Sequence, residues 1–466
     1  MKRIALINPP TPDGNFVPPL GLLTIAAVLE KHGYEPAVFD ANADPSAQER
    51  IKDFKPDLMG LTAVTSAILP AKRLAGELRG LLPSVPVVFG GPHPAAVPLE
   101  SISWPEVDFV VAGEGEAAML ALVQWLEAKA GPGEIAKVPN LHHKVQGLPQ
   151  FTFHQEFLSS MELSELPMPA YHLLDVDMVA QRLRHGLFRK GKRALPYMAS
   201  RGCPHLCAFC CQMMGRRVRR KSPKQVISEI EYLVSAYNLD EIYIEDDNFT
   251  SSKRFAVAVL DGIYERGLPI SIKFANGARI DTLDNELLEK MRRAGCSSLS
   301  FGLESGSARV LKMMQKHLDL DLVRRRARDI KKHGFLMGAN MILGFPGETE
   351  EDIWESYDFF SSLGLDSIAV VNLIPFPGTQ VRSTCEENGY LTEEASSWDN
   401  YYFDIKDPKI LIETPFLPKD RLKAVMKKVF LKLYTDRRRL WTLVRHMSWR
   451  DVLSGAATMV KRGLAS

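Results

Sequence analysis

Short apolar runs alternate with helical stretches through the first third of this chain. Residues 4–8, 35–40, 58–62, 85–89 and 107–112 read as strands. Residues 20–31, closed by His32-Gly33, and residues 117–127 read as helices. Strands alternating with helices predict a parallel, doubly wound sheet of the Rossmann-like kind. Ligands bind such a sheet in loops beyond the carboxyl ends of its strands. Those loops hold Asn8-Pro9-Pro10, Thr62 to Ser66, Gly90-Gly91-Pro92-His93 and Gly113-Glu114-Gly115-Glu116. Glycine there lets the backbone approach a ligand closely. No Gly-x-Gly-x-x-Gly follows the first strand, which disfavours a dinucleotide. Gly113 to Glu116 is too acidic to cradle phosphate well.

The periodicity lapses between residues 146 and 194, and a second strand–helix series opens at residues 195–199. Its later strands are read at 239–244, 270–275, 298–303, 338–343 and 367–373. They end at Glu245-Asp246-Asp247-Asn248, at Asn276 to Asp281 with Arg279, at Glu304-Ser305-Gly306, at Gly344 to Thr349, and at Ile374 to Thr379. Such polar or Gly/Pro-rich ends gather on one rim of a βα barrel, here a partial one. Ser222-Pro223 supplies a cap and a first-turn proline for a helix. Leu422, Val425, Met426, Val429 and Phe430 recur at helical spacing, so the tail begins with a helix that packs by one face. Arg437, Arg438, Arg439, Trp441, Leu443, Val444, Trp449 and Met459 follow. Basic residues with Trp and Leu also suit a membrane surface, but packing on the barrel is preferred. The division is a first domain (1–145), a linker (146–194), a partial barrel (195–394) and a helical C-terminal region (395–466).

Composition narrows the class. Apolar residues at 45% and charged residues at 24% are ordinary for a globular protein. A net charge of +2 gives no case for nucleic acid. The basic run Arg216, Arg217, Arg219, Arg220, Lys221 has no interleaved aromatics and reads first as a solvated, salt-bridged face, with a patch for an anionic substrate or an acidic electron donor as the alternative. Six cysteines, three of them clustered, argue against a disulfide framework. The N-terminal apolar run is too short for a secretory signal, and no apolar run approaches transmembrane length. A cytoplasmic, reducing location is expected.

The chemistry lies at Cys203, Cys207 and Cys210, spaced Cys-x-x-x-Cys-x-x-Cys on a loop after an apolar strand. Thiolates hold iron–sulfur clusters. Three of them ligate three irons of a [4Fe-4S] cluster and leave the fourth iron open to a small molecule. A zinc site is the alternative and needs a fourth ligand, for which His205 or Cys211 are the candidates. Cys211, Cys296 and Cys385 lie outside the triad: Cys211 follows Cys210 directly and should point elsewhere, and Cys296, after a helix-ending Gly295, is expected in the core.

This spacing, with the rim motifs in their order, resembles the radical S-adenosylmethionine (SAM) enzymes. The first domain, through Pro18-Pro19-Leu20-Gly21, Gly90 to Pro94 and Gly113 to Glu116, resembles the cobalamin-binding domain of one subfamily. The resemblance covers roughly residues 1 to 400. It implies that SAM binds the open iron by its amino and carboxylate groups, with Glu245 and Asp246 near the amino group. It places Asn276, Arg279 and Glu304 near the carboxylate or ribose and Gly344 to Glu348 at the adenine. For Arg279 a structural salt bridge is an equal alternative. It implies cobalamin over Pro10, Thr62, Ser66, Gly90, Gly91, His93, Gly113, Glu114 and Gly115. The Asp-x-His-x-x-Gly motif for a cobalt-ligating histidine is absent, so His93 reads first as a loop histidine bonded to its surroundings. Residues 63–69 are expected beneath the cobalt. The implied activity is methylation of an unactivated carbon of a small-molecule or lipid-like substrate. The alternatives are a radical cyclase, oxidase or rearrangement enzyme, or a cobalamin or iron–sulfur sensor. A flavodoxin or ferredoxin would supply electrons.

Overall fold

The computed structural model describes residues 1–12, 17–129, 131–145, 148–152, 161–183, 190–404, 407–437, 439, 441 and 442. Arg438, Leu443, Val444, Trp449 and Met459 lie outside the described residues. The chain forms two compact units. The first is Met1–Leu183 with Cys211–Gly215, and the second is Arg184–Cys210 with Arg216–Ser466.

The first unit is built on a seven-stranded sheet, β2-β1-β3-β4-β5-β6-β7. Its strands are β1 (Arg3–Asn8), β2 (Glu35–Asp40), β3 (Leu58–Thr62), β4 (Val87–Gly90), β5 (Phe109–Val111), β6 (Leu141–Val145) and β7 (Leu148–Thr152). The first five run parallel, while β6 and β7 form an antiparallel hairpin on β5. Ile4, Ala5, Leu6 and Ile7 are all buried, because a parallel strand covered on both faces needs an unbroken apolar run. The helices are α1 (Leu20–Lys31), α2 (Ala47–Phe54), α3 (Ile68–Leu81), α4 (Pro92–Ala96), α5 (Pro98–Ser103), α6 (Gly115–Ala128) and α7 (Val176–Arg182). Strands β4 and β5 start two residues later than the pattern predicts. Arg79 explains this: its guanidinium takes the carbonyls of Val85 (3.1 Å) and Glu106 (3.0 Å) and pairs with Asp108. Those carbonyls are thereby withdrawn from the ladder.

The second unit carries two three-stranded parallel sheets. One has the order β12-β11-β8, from β8 (Ala194–Tyr197), β11 (Glu241–Ile244) and β12 (Ser271–Phe274). The other has the order β13-β14-β15, from β13 (Ser298–Glu304), β14 (Leu336–Leu343) and β15 (Ser367–Asn372). A single parallel bridge, Ala278 to Phe301, joins the β12 and β13 sides among the described residues. The short β9 (Ser200–Arg201) and β10 (Arg219–Arg220) pair antiparallel on either side of the cysteine loop. The outer layer comprises α8 (Pro223–Tyr237), α9 (Lys253–Glu265), α10 (Asn285–Arg293), α11 (Ala308–Met313), α12 (Leu320–Lys332), α13 (Glu350–Ser362), α14 (Gln380–Asn388) and α15 (Lys419–Tyr434). Ser222 caps α8 by accepting from the Gln225 N–H at 3.2 Å, with Pro223 at the first position. Along β13, Leu299, Phe301 and Leu303 are buried, while the alternate Ser300 is exposed. The face opposite the buried row bears small or polar residues, Ser300 in register with Gly338 and Gly302 with Asn340 and Ala369, and of these Ser300, Asn340 and Ala369 are exposed. The tail helix α15 buries Leu422, Val425, Met426, Val429, Phe430 and Leu433. It thus packs by the face its periodicity marks.

Candidate functional site

The cysteine loop leaves β9 through Gly202, whose φ of +95° favours glycine. Two carboxylates tie this loop down. Asp246, fully buried at the end of β11, accepts from the Ala199 N–H (2.7 Å) and the Ser200 hydroxyl (2.5 Å). Asp247 accepts from the Gly202 N–H at 2.9 Å. A tight turn follows, with the Cys210 N–H on the Cys207 carbonyl at 3.1 Å. All three cysteines are free thiols; Cys203 and Cys207 are half-buried and Cys210 is exposed. Burial pushes the Cys203 thiol up, and the charges of Asp247 and Cys207 push the same way. Among the described residues, no three His, Cys, Asp or Glu side chains converge on one point as a single zinc ion would require. Three thiols on one loop suit a cluster that bonds each through a different iron.

The other rim residues divide by what already holds them. Glu245 is raised to about 7 by burial and by its neighbour Asp246. Asp246 is likewise raised to about 7 by burial, against the hydrogen bonds it accepts. Both Asp246 oxygens serve the cysteine strand, so of the two it is Glu245 whose carboxylate is not tied to that strand. Asn276 donates to the Glu245 carbonyl at 2.8 Å. Arg279 is bound to Asp281 (2.7 and 3.0 Å) and to the Lys316 carbonyl (3.2 Å). Glu304 forms a buried pair with Lys316 at 3.0 Å and has a left-handed φ of +68°. The Lys316 ammonium also lies 5.7 Å from the ring of Phe209, between Cys207 and Cys210. Gly302 makes room for this pair, since a Cβ there would strike the Glu304 carboxylate. Gly344 has φ +86° and faces Leu422 of α15, which a Cβ would meet at 2.7 Å. Its N–H, with that of Phe345, donates to the buried Glu348 (2.6 and 3.2 Å). Lys316 is the rim residue that the sequence pattern does not signal.

In the first unit the four predicted loops lie at the carboxyl ends of β1, β3, β4 and β5. The Ala63 N–H donates to the Gly90 carbonyl (2.9 Å) and the His93 N–H to the Ala63 carbonyl (3.1 Å), stitching two of them together. Gly91 has φ +92°, and a Cβ there would meet Thr62 Oγ1 at 2.5 Å and the Ala63 backbone. Gly113 has φ +146°, Glu114 precedes α6, and a Cβ at Gly115 would meet Ile25 at 2.6 Å. At Gly91 and Gly115 glycine lets the loops of the rim pack closely on Thr62, Ala63 and Ile25. His93 is completely buried, with Nδ1 3.2 Å from Thr65 Oγ1, and burial lowers it to about 4. It is held inside the fold, whereas Val64, on the segment before Ser66, is 45% exposed. The segment thus offers an apolar surface. Pro10 stands slightly apart, on a cavity of about 260 Å³ with Asp44, Gln48, Arg73 and Glu77.

Comparison with known proteins assigns both regions. Residues 12–123 match the B12 binding domain and residues 197–360 the Radical SAM superfamily. An uncharacterised methyltransferase of Pyrococcus horikoshii is 29% identical over 93% of each chain. The cytidylyl-2-hydroxyethylphosphonate methyltransferase of Streptomyces wedmorensis is 28% identical over 82% of this chain and 80% of its own. The solved structure of the cobalamin-dependent SAM radical enzyme OxsB, with aqua-cobalamin bound, superposes with a TM-score of 0.76. It is 15% identical, over all of this chain and 72% of that one, which supports the shared fold.

Proposed function

We propose that this chain, which belongs to the radical SAM enzymes that carry a B12 binding domain, transfers a methyl group to an unactivated carbon of a small organic substrate. The observation that carries this reading is the pairing, in one chain, of a three-thiol loop with a glycine-rimmed B12-type sheet. Bound cluster and corrin supply, respectively, the electron that cleaves SAM and a carrier for the methyl group. One SAM equivalent gives its methyl group and leaves as S-adenosylhomocysteine. A second leaves as methionine and 5′-deoxyadenosine, having removed a hydrogen atom from the substrate carbon.

The chain's own residues bind and orient these groups. Cys203, Cys207 and Cys210 hold the cluster. Glu245, whose carboxylate is not tied to the cysteine strand, would accept from the SAM ammonium by charge-assisted hydrogen bonds. Lys316, steadied by Glu304, offers a cation beside Phe209 for the SAM carboxylate. Gly344 and Phe345, fixed by Glu348, shape the adenine side. Thr62, Ser66, Gly90, Gly91, Gly113, Glu114 and Gly115 would bear the corrin, with the exposed side chain of Val64 an apolar neighbour that has no ligating atom. Each turnover takes two electrons, delivered singly: one cleaves SAM and one restores the methyl carrier, so a one-electron donor and a reducing compartment fit the reading.

The test is product analysis of the fully loaded, reduced enzyme with methyl-labelled SAM and candidate substrates drawn from small polar metabolites and lipids. Labelled methyl on substrate carbon, with S-adenosylhomocysteine and 5′-deoxyadenosine in equal amounts, is expected. Deoxyadenosine with an altered but unlabelled product would replace methyl transfer by another radical reaction.

A further inference from the structure

We propose that Met314, Val381, Gln315 and Gln380 act as positioning residues that clamp the cysteine loop from both sides and fix the cluster in place. The inference rests on reading Cys203, Cys207 and Cys210 as its ligands. Only Ala208 and Phe209 separate Cys207 from Cys210. The Ala208 N–H donates to the Met314 carbonyl at 3.0 Å, and the Ala208 carbonyl accepts from the Val381 N–H at 2.9 Å.

Both jaws are drawn from helix ends. Val381 lies in the first turn of α14, where N–H groups have no acceptor within the helix. Met314 is the last cap of α11, where carbonyls are equally free to look outward. The loop therefore satisfies groups that the helices leave open, at no loss to either helix. The jaws are tied to each other as well. Gln315 donates its side-chain amide to the Gln380 side-chain oxygen at 2.8 Å. Behind them Ala208, Val310, Met314, Phe345, Leu373, Val381, Cys385 and Ile412 form one buried apolar cluster. The peptide between two of the proposed ligands is thus held by protein groups on both sides. A loop that binds without being ordered at that moment holds its ligand more tightly. Hydrogen bonding around a cluster also tunes its electronic state.

The test uses the full chain with its cluster reconstituted without oxygen and without SAM. It reads the rate of iron release to a ferrous chelator and the electron paramagnetic resonance spectrum of the reduced cluster. Val381→Pro removes one jaw's donor in the turn where a helix tolerates proline best. Release about three- to tenfold faster, with a shifted spectrum, is expected for the loss of one hydrogen bond. Proline also restrains the preceding Gln380, so a second variant leaves the backbone alone. Gln315→Ala with Gln380→Ala should speed release about two- to threefold, while Gln380→Glu alone, which keeps the acceptor oxygen for Gln315, should release iron at the parent rate. Parent-like release and spectrum in both Val381→Pro and the double variant would overturn the clamp alone. A parent protein that assembles no four-iron cluster would overturn the cluster reading and the clamp with it.

Discussion

Lys316 and Glu304 are the residues on which the second unit's rim turns. Their side chains are almost fully buried and only 3.0 Å apart. Removing one leaves the other charged and unpaired. Lys316→Ala is expected to cost about 3–5 kcal/mol in urea unfolding, and Lys316→Met with Glu304→Leu to recover most of it. Equal losses in single and double variants would show that the pair is not what stabilises the rim. Glu348 gives a pH signature. Burial raises it to about 8, against the two N–H groups that oppose the shift. A carboxyl raised in the folded state binds its proton more tightly there than when unfolded. Its contribution is complete below the ordinary carboxylate range and is lost as pH rises towards 8. Stability should fall by up to about 1.4 kcal/mol per pH unit between pH 6 and 8, and Glu348→Gln should flatten the decline. At this scale the cysteines were readable because their spacing is local. Lys316 was not: Met314-Gln315-Lys316-His317 has no pattern, and its partner lies twelve residues away, past an irregularity in β13 at Gly302 and Glu304. Arg279 was legible as a rim residue, but only the fold shows its guanidinium on Asp281 and the Lys316 carbonyl.

Elements were legible where one periodicity ran unopposed. Helix α1 matches its apolar spacing at Leu20–Lys31, and α15 buries the face its pattern marks. The hairpin β6–β7 was not legible. It carries His142 and His143 as buried residues and Lys144 bonded to the Trp104 and Val107 carbonyls at 2.7 Å, so polar side chains stand where a strand would advertise itself with apolar ones. The sheet is consequently mixed at one edge, not parallel throughout. The joint between α15 and the rim yields a prediction. Gly344→Ala combines a positive φ with a contact on Leu422 and is expected to cost about 1–3 kcal/mol. Leu422→Ala carries a cavity cost of its own, so the test is a double-mutant cycle: Gly344→Ala should cost less in the Leu422→Ala background than in the parent, but not nothing, because the backbone strain remains. An equal cost in both backgrounds would assign the whole effect to backbone strain, and none to crowding against α15.

At the scale of the whole molecule, two ligand-binding architectures follow one another in a single chain. Each presents loops at the carboxyl ends of its own parallel strands, one rim closely packed through glycines and the other rich in charge. Among the described residues, no helix is long and apolar enough to cross a membrane. The residues proposed for the two cofactors do not overlap, so Cys203→Ala should abolish the cluster and SAM cleavage while leaving corrin binding intact. Loss of both from a folded variant would show that the sites load together. The measurement that bears most directly on the whole account is the iron, sulfide and corrin content of protein purified without oxygen from cobalamin-fed cells. One four-iron cluster and one corrin per chain are expected, the corrin with a spectrum lacking a histidine ligand. A cluster with no corrin would contradict methyl transfer through cobalamin and leave the first unit without its assigned role.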